Sequence, residues 1–233
     1  LRRGAADLVL AGGVDALLTY TIVSLFLRME VMSTNIEHPE IASRPFDQDR
    51  DGLVLGEGAG FVVLQRYDDA VADGRPILGV VTGYGSCADA HHLVAPDEQG
   101  LGARRAMELA LADAGTAPHA VSHVNAHGTS TRLNDLTEGR ALTALFAGAV
   151  PPVTAVKGTT GHMIGGSGAV ECIATLRALR ERVIPPVAGL RNLDPEVALD
   201  VVMGEPRAIG AGPALSNSFG FGGHDAVLAL SAP

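Results

Sequence analysis

VSHVNAHGTST, residues 121–131, is an apolar run that ends on a histidine and opens into glycine and hydroxyls. Val121–Ala126 predicts a short buried strand that delivers His127. The Gly-Thr-Ser-Thr that follows supplies hydroxyls able to cap a helix or to bond a polar ligand. The next segment, Leu133–Phe146, predicts a helix with Asp135 and Glu138 on one face. The same unit recurs downstream. Val153–Val156 predicts a strand delivering Lys157, and KGTTGH (157–162) places His162 five residues on. A helix from Gly165 to Arg182 follows, carrying Glu171 and an apolar stripe of Ala169, Cys172, Ile173, Leu176 and Leu179. Strand, polar turn and helix in succession, twice over, define an α/β layered fold.

The rest of the chain extends that pattern. Asp7–Ala11, Phe61–Gln65 and Ile77–Tyr84 read as strands. Ala16–Met32 reads as partly helical and Gln99–Ala114 as a helix stopped by Gly115 and Pro118. Pro45–Gly60, PFDQDRDGLVLGEGAG, reads as a charged, glycine-rich loop. Val183–Pro233 reads as strands joined by turns, ending in Ala226–Leu230. A seam near Pro76 divides the chain into 1–75 and 76–233.

Composition narrows the function. Of 233 residues, 47% are hydrophobic, enough for a sizeable core, and the net charge is −9. That balance argues against a nucleic-acid or anionic-membrane binder, which presents a basic face. No stretch approaches the roughly 20 apolar residues that span a bilayer. The two cysteines are unpatterned, which points to neither disulfide framework nor zinc site and to a reducing cytoplasm. The opening LRRG reads as the last turn of a helix closed by glycine, so the chain is expected to begin in mid-domain.

Two strand-end histidines, a lysine and three carboxylates form an acid/base and electrostatic set. A third segment, SNSFGFGGHD (216–225), is built for the same pocket. Other readings carry less. His119, His123 and His127 are spaced by four, but Pro118 and the Val-rich strand between them break any helical metal site, and no metal is expected. GEGAG and GGSGAVE lack the full dinucleotide fingerprint. Asp47, Asp49 and Asp51 read as a solvated or loop-locking charge set without the spacing of a calcium loop.

Taken together, NAHGTST…ND, KGTTGH…GGSGAVE and SNSFGFGG resemble the C-terminal signatures of β-ketoacyl-[acyl carrier protein] synthases, as do PFDQDRDGLVLGEGAGFVVL, RVIPPV, LVLAGGVDA and SCADAHHLVAPD. The resemblance implies a thiolase-like α/β/α/β/α fold, with this chain supplying the end of the N-terminal half and the whole C-terminal half. It implies an acyltransferase performing decarboxylative Claisen condensation with malonyl-[acyl carrier protein]. On that resemblance His127 and His162 hydrogen-bond the enolate oxygen, and Lys157 matches the family lysine. Asp135, Glu138 and Glu171 match the surrounding polar network. Phe221 matches a gating phenylalanine whose N–H serves an oxyanion, with Phe219 beside it. Thr129 and Thr131 match hydroxyls that bond the pantetheine arm. No free cofactor is implied, since substrates ride on the phosphopantetheine of acyl carrier protein. The implied partners are that carrier and a second ketosynthase-like chain in a homodimer or heterodimer.

The sequence departs from the family at the nucleophile. Cys87 and Cys172 lack its context, and the reactive cysteine is expected roughly four helical turns upstream of Leu1, in a segment this chain needs as a partner. Smaller departures are Arg132 for proline, Val94 for a hydroxyl residue and His224-Asp225 for Thr-Asn. An alternative is a non-catalytic partner subunit of the chain-length-factor type; retention of His127, Lys157 and His162 argues against it.

Overall fold

The computed structural model describes residues 1–233. Its elements are β1 (Leu8–Asp15), α1 (Tyr20–Arg28), β2 (Gly58–Gln65), α2 (Tyr67–Ala72), β3 (Val80–Ala88), α3 (Leu101–Asp113), β4 (His123–Asn125), α4 (Arg132–Leu145), β5 (Val153–Thr154), α5 (Lys157–Thr160), α6 (Ser167–Glu181), β6 (Val183–Ile184), β7 (Arg207–Ala208), β8 (Ala214–Gly220) and β9 (His224–Ser231). The alternation expected from sequence is present. The first strand runs four residues further than its apolar start, because Gly12–Asp15 pairs with Gly58–Phe61 of β2. The start of β2 lies inside the segment read as loop. Two short helices, α2 and α5, escaped the pattern because neither is long enough to show a helical period.

Helix α6 lies between two sheets. On one side it meets the antiparallel β1–β2 ribbon, and on the other it meets β8 and β9 of a five-stranded sheet ordered β3-β9-β8-β4-β5. Helix α3 covers the opposite face of that sheet and packs on α4. The layers are therefore sheet, helix, sheet, helix, with the main core between the large sheet and the α3–α4 layer. Val124, Val153, Leu215 and Ala229 from the strands meet Ala106, Met107, Ala110 and Leu142 from the helices there.

Strand direction positions the site. β4 runs parallel to β5 and to β8, so three adjacent strands end at the same edge of the sheet. Ligands in α/β sheets bind at such carboxyl ends. β4 leads into His127, β5 into Lys157 and β8 into Phe219 and Phe221.

The apolar stripe expected on α6 is only partly the buried one. Cys172 and Leu179 are buried, but Ile173 is 42% exposed. Ser167, Glu171, Thr175 and Ala178 share the buried face instead. Each polar group there has a partner: Glu171 meets Lys157, Ser167 accepts the Met163 N–H and Thr175 donates to the Glu171 carbonyl.

Candidate active site

Lys157 is the centre of the site. It is buried, and its ammonium has three protons to place. Nζ donates to the His127 carbonyl at 2.6 Å, to Glu171 Oε1, and to His127 Nδ1 at 3.2 Å. All three donors are spent on protein groups, so Lys157 holds its neighbours and lies behind the cavity wall. Lys157 and Glu171 are each 1% exposed, which makes this a fully desolvated ion pair. Burial pushes the Glu171 carboxyl up to about 7, against the pull of Lys157. Glu171 Oε2 meets no donor in the protein.

The same contacts fix the imidazole tautomers. An ammonium donating to His127 Nδ1 leaves the ring proton on Nε2. In His162, Nδ1 accepts the Ile164 N–H at 3.2 Å and lies 3.2 Å from Ser167 Oγ, which itself accepts the Met163 N–H. Its proton is therefore on Nε2 as well. Ile164 takes φ 42° to make that bond, a left-handed pose that costs a β-branched residue about 1–3 kcal/mol. The rings stand edge to face with centroids 5.4 Å apart, and Phe219 packs 5.6 Å from His127. Both are held neutral. Burial, then Lys157, lowers His162 to about 3, and burial, then Lys157 and His162, carries His127 well below its ordinary range. Two neutral imidazoles each present an Nε2–H donor to one cavity.

That cavity has a volume of about 980 Å³ and takes His127, His162, Glu171, Phe219 and Phe221 into its wall, with Thr129 and Thr131 nearby on the same surface. The threonine hydroxyls lie 2.9 Å from each other. Neither caps α4, although Thr131 occupies the capping position. Gly128, at φ +40°, lets this turn lie against β5, where a Cβ would come within 2.6 Å of Ala155.

Asp135 and Glu138 sit on one face of α4 but serve different groups, and neither lines the cavity. Glu138 accepts the N–H groups of His127 and Gly128, both at 2.9 Å, and the Asn217 amide at 3.0 Å. Burial raises its pKa all the same. Asp135 accepts the Phe46 N–H at 2.8 Å and pairs with Arg50 at 3.3 Å.

Arg50 was not singled out by sequence reasoning. It is wholly buried and binds Asp194 at 2.7 Å, the carbonyls of Asp47, Thr131 and Arg132, and Asp135. It staples the 45–60 loop to the start of α4. The signal available was an arginine inside an acidic run. Asp47 does lock its loop, accepting the N–H groups of Asp49, Arg191 and Asn192. Asn217 and Ser167 were also missed; they lie in quoted motifs but carry no signal of a partner. Neither Cys87 nor Cys172 lines the cavity.

A layered α/β core with a paired-imidazole cavity at the strand ends is the architecture of thiolase-like condensing enzymes. Residues 1–70 match the N-terminal domain of beta-ketoacyl synthase and residues 78–191 its C-terminal domain. The chain is 44% identical over 232 residues to 3-oxoacyl-[acyl-carrier-protein] synthase 2 of Synechocystis sp., covering 99% of this chain and 56% of that protein. It is 46% identical over 228 residues to the protein of the same name from Mycobacterium tuberculosis, covering 97% and 55%. Among solved structures it superposes on a beta-ketoacyl synthase from Burkholderia phymatum with a TM-score of 0.95 at 37% identity, over 100% of this chain and 56% of that one. It superposes likewise on a type II polyketide ketosynthase solved with its acyl-carrier protein, with a TM-score of 0.96 at 30% identity, over 100% and 58%. This chain belongs to the β-ketoacyl synthase family. It spans about half the length of the curated relatives it matches.

Proposed function

We propose that the protein carrying this chain is an acyltransferase that condenses an acyl thioester with malonyl-[acyl carrier protein] in fatty acid or polyketide synthesis. The observation that carries the reading is the tautomer pair: both Nδ1 atoms accept from protein donors, so both Nε2–H groups are free for a ligand. Neutral imidazoles of this kind are donors, suited to oxygen that gains negative charge.

The chemistry follows from that. Cleavage of the malonyl carboxyl carbon–carbon bond releases carbon dioxide and leaves its electron pair as a thioester enolate. His127 and His162 stabilise the enolate oxygen. The enolate carbon then attacks the acyl thioester carbonyl, a carbon–carbon bond forms, and the thiolate leaves. The Phe221 N–H serves the oxyanion of that second carbonyl. The attacked thioester is carried on a cysteine supplied by a segment other than these 233 residues. Thr129 and Thr131 bond the pantetheine arm, so the substrates arrive on acyl carrier protein and no free cofactor takes part. Lys157, Glu171 and Glu138 position His127, and Asp135 positions the turn through Arg50. In this reading the chain divides at 75/76 into the end of one thiolase-like half and the whole of the other. A second ketosynthase-like chain completes a cytoplasmic dimer. A non-catalytic partner subunit is the weaker reading, because the lysine and both histidines are present and assembled.

Substituting His162→Ala in the full-length protein should abolish malonyl decarboxylation and spare acyl loading. Decarboxylation at the wild-type rate would sink the assignment.

A further inference from the structure

Asp225 lies on the cavity wall beside Phe219, its cross-strand partner in the β8–β9 hairpin. It is 6% exposed, yet no protein N–H or O–H donates to its carboxyl. Its neighbour is a second carboxyl. A methyl group at Gly102, on α3, would lie 2.3 Å from Asp225 Oδ2 and 2.7 Å from Asp89 Cβ. Asp89 is the member of the pair served by donors, the His91 N–H at 3.0 Å and the Asp97 N–H at 3.1 Å.

The pair stands where two loops meet. The turn 221–223 carries Phe221, and it joins the 89–97 loop through Asp89 N–H to the Gly223 carbonyl at 3.0 Å and Gly222 N–H to the Leu93 carbonyl at 2.8 Å. Asp89 packs so closely on Gly223 that a Cβ there would fall 1.9 Å from Oδ1. No cation relieves the pair. β3 presents Cys87 in register with Asp225. On α3, Arg104 and Arg105 turn to Glu108. His224 is on the hairpin itself, His92 is bonded through Nδ1 to the Val94 and Ala95 N–H groups, and α4 adds only the negative Glu138.

We infer that Asp225 is a positioning residue that carries a proton in the working protein, and that losing it drives the Phe221 turn and the 89–97 loop apart. The inference rests on the reading of this cavity as a thioester site. Burial first, then Asp89 and Glu138, raises the Asp225 carboxyl to about 7. A carboxyl raised on folding gives stability that is full below the ordinary carboxylate range and gone once pH has passed its folded value. The device therefore fails on the alkaline side.

The test uses the full-length protein, its Asp225→Asn variant and thermal unfolding from about pH 5 to about pH 9. The Tm of Asp225→Asn should gain on wild type as pH rises from about 5 to about 7, and the gap should level off above that. In Asp89→Asn, with the like charge removed, the fall should be smaller than in wild type and end at lower pH. Turnover of malonyl thioester should decline on the alkaline side in wild type and hold in Asp225→Asn. A Tm difference between Asp225→Asn and wild type that is the same at every pH overturns the proposal. An absence of turnover in wild type strikes the functional reading alone, since the melting comparison still decides the proton.

Discussion

Lys157 shows how much one buried charge organises. Its three protons select the His127 tautomer, anchor the His127 carbonyl and neutralise Glu171. Removing one partner of such a pair leaves the other charge buried and unmet, at a cost of about 3–5 kcal/mol. Lys157→Met is expected to lose stability of that order in denaturant unfolding. Lys157→Met with Glu171→Leu should regain most of it, because an apolar pair of similar volume often replaces a buried ion pair without loss. Decarboxylation should stay low in both, since His127 Nδ1 has lost its donor. Recovery of decarboxylation in the double variant would count against the positioning role. The residues of this network were legible as types: a lysine, histidines and carboxylates at strand ends and on helix faces. Their partners were not, because Asp135 and Glu138 share a face of α4 and yet turn to groups 89 and 11 residues away.

At the scale of elements, α4 tethers the His127–Gly128 turn through one side chain. Glu138 accepts two successive backbone N–H groups with its two oxygens, at His127 and Gly128. Glu138→Gln replaces one acceptor by a donor and leaves a buried N–H unmet, at a cost of about 1–3 kcal/mol. Urea unfolding at neutral pH should register that loss, and an unchanged midpoint would show that the turn holds without it. Helix α6 teaches the converse lesson about pattern. Its apolar period pointed to one stripe, whereas its buried face holds Ser167, Glu171 and Thr175. A helix between two sheets keeps only a strip of its surface in solvent, here the side of Ile173 and Arg177, and its buried face answers to polar partners, so hydropathy is a poor guide to its direction.

Over the whole molecule, the β1–β2 ribbon buries one face on α6 and leaves the other uncovered. Leu8, Leu10 and Val14 share that outer face with Phe61 and Val63, and all are about half exposed or more. Contiguous apolar surface of this kind marks an interaction face. These 233 residues, purified alone, should associate, as light scattering would report. A monomer that melts cooperatively would contradict the expectation. No helix is long and apolar enough to cross a membrane.

Local chemistry in the chain was enough to predict the alternation of strand and helix, the strand ends at which the candidate site residues appear and the residue types that line them. These follow from short-range periodicity and from turn residues, which act within a few positions of themselves. Tertiary structure decided which ends meet. Parallel pairing of β4 with β5 and β8 gathers His127, Lys157 and Phe219 from positions up to 92 residues apart. Desolvation, which only packing creates, then holds both imidazoles neutral and turns two basic residues into a pair of hydrogen-bond donors.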